Sequence, residues 1–255
     1  MVRAALNEPD EHLAWDAVAA LHFRGTRQVL DRANELRHSS DVAERSLGAD
    51  ILGQLGVPDR TFPDDCVQIL LEMLSGESDA EVLRAILIAL GHLGRPEAIG
   101  PAVRFRGHPD PAVRNAVVFS LTGHDDPRAI DGLIELSRDE DAHVRDWATF
   151  GLGTQTEADT PAIREALVER LTDSYQDARC EAMVGLARRH DRRVIPAISR
   201  ELSSRDVSGL VFEAAELIAA PELYPQLLAW RARCGAGEGY LANAITACSP
   251  STRAD

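Results

Sequence analysis

Asp110-Pro111-Ala112-Val113-Arg114 returns as Asp141-Ala142-His143-Val144-Arg145, and each copy runs on to a leucine seven residues after its arginine, Leu121 and Leu152. With that arginine as anchor, the equivalent positions are Ala14, Arg45, Leu83, Arg114, Arg145, Arg179 and Leu210, at intervals of 31, 38, 31, 31, 34 and 31 residues. Anchor plus seven is leucine every time: Leu21, Leu52, Leu90, Leu121, Leu152, Leu186 and Leu217. Anchor plus six is small at Ala20, Ala89, Ser120, Gly151 and Gly185, with Ile51 and Glu216 the exceptions. Self-similarity at a fixed period of this length marks a repeat architecture.

Each unit carries a helix-start signal. Aspartate stands four before the anchor at Asp10, Asp41, Asp79, Asp110, Asp141 and Asp206. There it can accept from unpaired backbone N–H groups and meet the positive end of the helix dipole. Pro111 suits the first helical turn, where its missing donor costs nothing. Asp110 with Arg114, and Asp141 with Arg145, can also pair across one turn. One unit breaks the pattern with Tyr175, flanked by Asp173 and Asp177.

Between these helices lies a second amphipathic segment, as in residues 128–136, 161–171 and 194–202, each entered at proline or aspartate. No alternating β-branched run argues for strands. The unit is therefore helix, short turn, helix, over about 31 residues. Such a unit buries its apolar face only by stacking on neighbours, which predicts an all-α solenoid.

The Asp-Pro-x-Val-Arg…Ala…Leu-Gly pattern resembles HEAT-like repeats, in particular the short bacterial type named after phycobilin lyases. The resemblance covers roughly residues 10–220 and implies a right-handed α-α superhelix of about seven helix pairs. A single domain over 1–255 is expected: a cap remnant at 1–9, repeats at 10–220, cap helices at 221–248 and a frayed tail at 249–255. The resemblance fixes function poorly, because the repeat serves scaffolds, lyase subunits acting on chromophore-bearing proteins, an iron hydroxylase and DNA glycosylases.

Composition narrows the classes. The formal net charge is −14, and all 27 basic residues are arginine. Lysine-dependent phosphate loops and Schiff bases are excluded, and the acidic balance argues against nucleic acid. Cys66, Cys180, Cys234 and Cys248 form no CxxC pair, and scattered thiols fit a reducing cytoplasm. Neither a signal peptide nor a membrane span is legible.

A helical wheel places the packed face at anchor −1, +3, +6 and +7, and an opposite, concave-lining face at +1, +5 and +8. Ile88, Phe119, Phe150 and Val184 then fall in one line, edged by Arg84, Asn115 and Asp146. Two readings of that line stay open: a partner-binding groove, or ordinary core between adjacent repeats. Glu213 and Glu216 fall on the predicted packed face.

Other constellations carry less. His124-Asp125-Asp126 and its neighbours offer metal-ligand types, but they sit at opposite helix ends. The iron hydroxylase that resembles this fold carries His-Glu dipeptides, which this chain lacks. Arg188, Arg189, Arg192 and Arg193 form the densest cationic run; it reads as a complement to helix C-terminal carbonyls or as an anion contact. No nucleophile–base motif appears. The sequence therefore predicts a non-catalytic scaffold without metal or cofactor. It holds a basic protein or peptide segment in its concave groove, with Asp41, Arg45, Asp110, Arg114, Asp141, Arg145 and Arg179 as structural anchors.

Overall fold

A computed structural model describes residues 19–234 and 239–250. The expected cap remnant, Asp10, Ala14 and the tail beyond residue 250 lie outside the described residues. Every regular element among the described residues is helical. The chain divides into two compact units, Met1–Gly132 and Leu133–Asp255.

The first unit contains α1 (Arg27–Leu36), α2 (Val42–Gln54), α3 (Pro63–Gly76), α4 (Ala80–Leu93), α5 (Ile99–Val103) and α6 (Pro111–Leu121). The division falls within α7 (Pro127–Leu136). The second unit continues with α8 (Ala142–Thr154), α9 (Pro161–Arg170), α10 (Gln176–Arg188), α11 (Ile195–Leu202), α12 (Gly209–Ile218), α13 (Tyr224–Cys234) and α14 (Tyr240–Cys248). Within each unit the even-numbered helices form an inner row. α2 packs on α4 and α4 on α6 in the first unit; α8 packs on α10, α10 on α12 and α12 on α14 in the second. Odd-numbered helices such as α1, α3, α9 and α11 back the inner helix that follows each.

The leucine register is the core of this row. Leu21, Leu52, Leu90, Leu121, Leu152 and Leu186 are all buried, each contributing about 2 kcal/mol of apolar transfer free energy. Leu217 in α12 is half-buried. The small residues at anchor plus six have a steric cause. A Cβ on Gly53, at anchor plus eight of α2, would stand 2.7 Å from the Ala89 Cα of α4. A Cβ on Gly185 in α10 would stand 2.6 Å from the Gly153 Cα of α8. Plus six of one inner helix thus meets plus eight of the preceding one almost backbone to backbone. The expected placement of plus eight on the open face is corrected by this: it turns into the seam.

Four of the predicted caps form. Asp41 accepts from the Ala43 N–H, Asp79 from Glu81 and Val82, Asp110 from Ala112, and Asp141 from His143 and Val144. Asp206 does not cap α12; Ser208 does, accepting from Leu210. At α10 the N-cap is Tyr175 without a side-chain bond, and Asp173 accepts from the Tyr175 N–H at 2.9 Å.

The anchor arginines bond elsewhere than across one turn to those aspartates. Arg45 donates Nη1 to the Ser39 carbonyl and Nε to Glu77 at 2.8 Å. Arg114, only 6% exposed, donates to the His108 and Pro109 carbonyls. Arg145 donates to the Asp139 and Glu140 carbonyls and to both oxygens of Asp173. Arg179 donates to the Asp173 and Ser174 carbonyls and to Glu201 at 3.1 Å. Capping already occupies the aspartates. The forks of Arg45, Arg145 and Arg179 instead tie the loop before their own helix to an acid 32, 28 and 22 residues ahead, a geometry lysine does not offer.

Candidate functional site

Both units expose part of the inner row, and each is described by itself. In the first, residues four apart share a stripe: Asp50 and Gln54 on α2, Arg84, Ile88 and His92 on α4, Asn115 and Phe119 on α6. Arg84 is exposed, Ile88 and Asn115 are half-buried, and Phe119 is 42% exposed. Asp50, Gln54, Arg84, Ile88, Ala89 and His92 line a notch of about 190 Å³.

Phe119 lies on α4 because Gly91 leaves room: a Cβ there would stand 2.5 Å from its ring. The ring meets His92 edge-on, with centroids 5.1 Å apart and planes at 74°. Burial pushes the Asp50 carboxyl up to about 6, against the pull of Arg84. Burial, reinforced by nearby Arg60, lowers His92. The notch thus holds a reluctant carboxylate and a neutral imidazole beside an exposed guanidinium. The wheel stopped one turn short of it: Gln54 and His92 are anchor plus nine.

In the second unit, Asp146 and Phe150 share a face of α8 at half burial. Trp147, which the expected line omitted, is 50% exposed. It meets Phe150 edge-on at 5.7 Å and 88°. Val184 does not belong to any exposed line: it is 1% exposed and Cys180 is 0%. The Gly153–Gly185 approach sinks α10 against α8 and turns anchor plus one and plus five of α10 into core. The two readings of the line therefore divide by residue, with Phe119 on the surface and Val184 inside.

Carboxylates gather on this second face. Burial, then Asp177, raises Asp146 to about 6, with His143 opposing. Burial, then Asp146, Glu213 and Asp177, raises Glu181 to about 7. Glu213 and Glu216, expected in the packed face, are half-buried.

Three arginines of the cationic run at residues 188–193 are committed within the fold. Arg189 places Nη1 on the Gly153 and Gly185 carbonyls and Nη2 on those of Leu152, Thr156 and Ala158. Arg192 pairs with Glu222, and Arg193 with Asp191 and Glu165. Cys66, Cys180 and Cys248 are buried free thiols, and burial pushes Cys66 up to about 12 and Cys180 to about 11. Among the described residues no group of three His, Cys, Asp or Glu side chains is placed to hold a metal. No described helix is long and apolar enough to cross a membrane.

Stacked helix pairs with capped starts, a leucine seam and an exposed inner row define a HEAT-like repeat protein of α-solenoid class, and residues 67–153 match the family model described as HEAT repeats. The chain is similar to Protein YibA of Escherichia coli (strain K12), 27% identical over 227 residues that cover 86% of this chain and 80% of YibA. The X-ray structure of E. coli YibA superposes with a TM-score of 0.81 at 24% identity, covering 97% of this chain and 90% of that one. Importin beta superposes with a TM-score of 0.61 at 12% identity, over 97% of this chain and 42% of its own.

Proposed function

We propose that the chain is a non-catalytic cytoplasmic scaffold that holds a protein or peptide segment, basic in character, against the exposed faces of its inner helices. The observation that carries this is the exposure of Phe119 and Trp147 there, at 42% and 50%. Large aromatics left at the surface of a repeat array are the usual anchors of a partner. The net charge of −14 steers a basic partner toward such a surface. Repeat proteins of this architecture generally recognise proteins, which agrees with the absence of nucleophile–base or metal constellations in the sequence.

The test is affinity capture from the source cytosol with two variants, Phe119→Ala for the first unit and Trp147→Ala for the second. A specific protein partner that either variant loses, at unchanged helicity and melting temperature, supports the reading. Capture that survives both variants, or melting that collapses by several kcal/mol as for core residues, overturns it.

A further inference from the structure

We propose that the α8 face bearing Trp147 and Phe150 docks an arginine- or lysine-bearing segment, and that protonation of the carboxylates beside it releases that segment. This rests on the scaffold reading above and adds the face that takes the basic segment and its control.

The geometry comes from three successive inner helices. α8 supplies Asp146, one turn before Phe150, and the edge-on Trp147–Phe150 pair. α10 supplies Asp177 and Glu181, and α12 supplies Glu213; these groups act on one another electrostatically. None of the described ion pairs involves Asp146, Asp177, Glu181 or Glu213.

Several other charged and titratable groups on these helices are already committed. On α8, Arg145 is committed to Asp173, and His143 lies edge-on to Tyr175 at 5.4 Å. Asp173 also receives Arg170. Tyr175 bonds to Asp177, which holds its phenol above the usual range. On α10, Arg179 is committed to Glu201, and Cys180 is a buried thiol. Asp146, Glu181 and Glu213 are therefore half-buried without an arginine among the described ion pairs, whereas Glu165, Glu169, Asp173, Asp191 and Glu201 of the same unit each pair with one.

A guanidinium or ammonium from outside supplies the missing charge, and the exposed indole offers it a π face. Such contacts work within about 6 Å of a ring centroid and are best over tryptophan. Proton linkage follows. A bound cation favours the charged carboxylates, so occupancy expels protons from groups that titrate near 6 and 7 when the face is empty. Affinity is then full above those values and falls as pH drops through them.

The experiment is fluorescence anisotropy with a fluorescein-labelled peptide of alternating arginine and glycine, about ten residues long, on the full chain at fixed ionic strength. Binding is measured at about pH 8 and about pH 5.5, either side of the two carboxylates, with circular dichroism at both. The expected result is about tenfold weaker binding at the acid pH, the effect of about 1.4 kcal/mol. Asp146→Asn with Glu181→Gln should weaken binding at the higher pH and flatten the pH ratio. Trp147→Ala should weaken binding at both pH values and keep the ratio. Binding that is equal at both pH values, or a ratio that survives the double amide variant, overturns the proton control and leaves docking standing. No binding at either pH, or equal binding of an alternating glutamate and glycine peptide, overturns docking of a cationic segment on this face and the control with it.

Discussion

Arg145 and Asp173 meet as a two-point pair, Nε to Oδ2 at 2.8 Å and Nη2 to Oδ1 at 2.9 Å, with side chains 13% and 4% exposed. The third arm of the same guanidinium holds the Asp139 carbonyl at 2.8 Å. One side chain therefore fixes a loop, a helix start and the next repeat together.

Asp173→Asn should unfold the second unit more readily by about 3 kcal/mol, because removing one partner of a buried pair strands the other. Burial alone would raise the Asp173 carboxyl; the bonds from Arg145 and the Tyr175 N–H hold it below the usual value. Its stabilisation is thus present above the unfolded carboxyl range and lost as pH falls through the lower folded value. Urea denaturation of both proteins at neutral and acid pH reads this out. A gap that stays constant into strong acid would contradict it.

Gly185→Ala should destabilise by about 2 kcal/mol, the usual range for overpacking. The added methyl meets the Gly153 Cα at 2.6 Å, which is backbone and cannot rotate away. Gly123→Ala is not a fair control, because its φ is +84°; Gly76, in the last turn of α3 with nothing within 4 Å, is. Thermal melting of Gly185→Ala beside Gly76→Ala separates steric conflict from helix propensity.

Arg189→Met should cost about 3 kcal/mol, through five part-buried carbonyl contacts left without their donor. Arg189→Lys should rescue little, since an ammonium cannot span carbonyls from three stretches of chain. Hydrogen exchange around residues 152–158 should speed up in both variants. Full rescue by lysine would mean that charge, not fork geometry, holds this site.

Asp50→Asn should stabilise the first unit at neutral pH by about 1 kcal/mol. Burial lifts the Asp50 carboxyl to about 6, so ionising it in the folded chain costs free energy. The cost appears as pH rises from the unfolded value near 4 through the folded one. Melting temperatures of variant and parent should converge below about pH 4, separate progressively as pH rises toward about 6, and keep a constant gap above that. Equal separation at every pH would assign the effect to packing instead.

Much of this was legible in the sequence because repetition amplifies it. The leucine at anchor plus seven lies at the middle of the seam, so its signal recurs undiluted. Asp41, Asp79, Asp110 and Asp141 cap as their spacing implies. The open face was harder to read. A wheel treats a helix as an isolated cylinder, whereas α4 and α10 are each covered by an outer helix and by two inner neighbours. How deep it sinks depends on side-chain size across the seam: Gly153 facing Gly185 buries Val184, while Gly91 facing Phe119 leaves that ring half in solvent. Asp206 was misread because α12 starts later than the period implies, which hands its cap to Ser208. The partners of the anchor arginines were not legible because they lie about one repeat ahead, a distance no local pattern reports.

That forward reach sets where the chain tolerates being cut. Arg45 ends on Glu77, Arg145 on Asp173 and Arg179 on Glu201; Glu77 and Asp173 lie just beyond the outer helix that follows the arginine's own inner helix, and Glu201 in the last turn of that outer helix. A shortened chain stopped just after an inner helix would keep every leucine of its last pair yet carry a stranded guanidinium. The exchangeable module of this protein therefore starts and stops just past the acid, out of phase with the helix pair that the eye would choose.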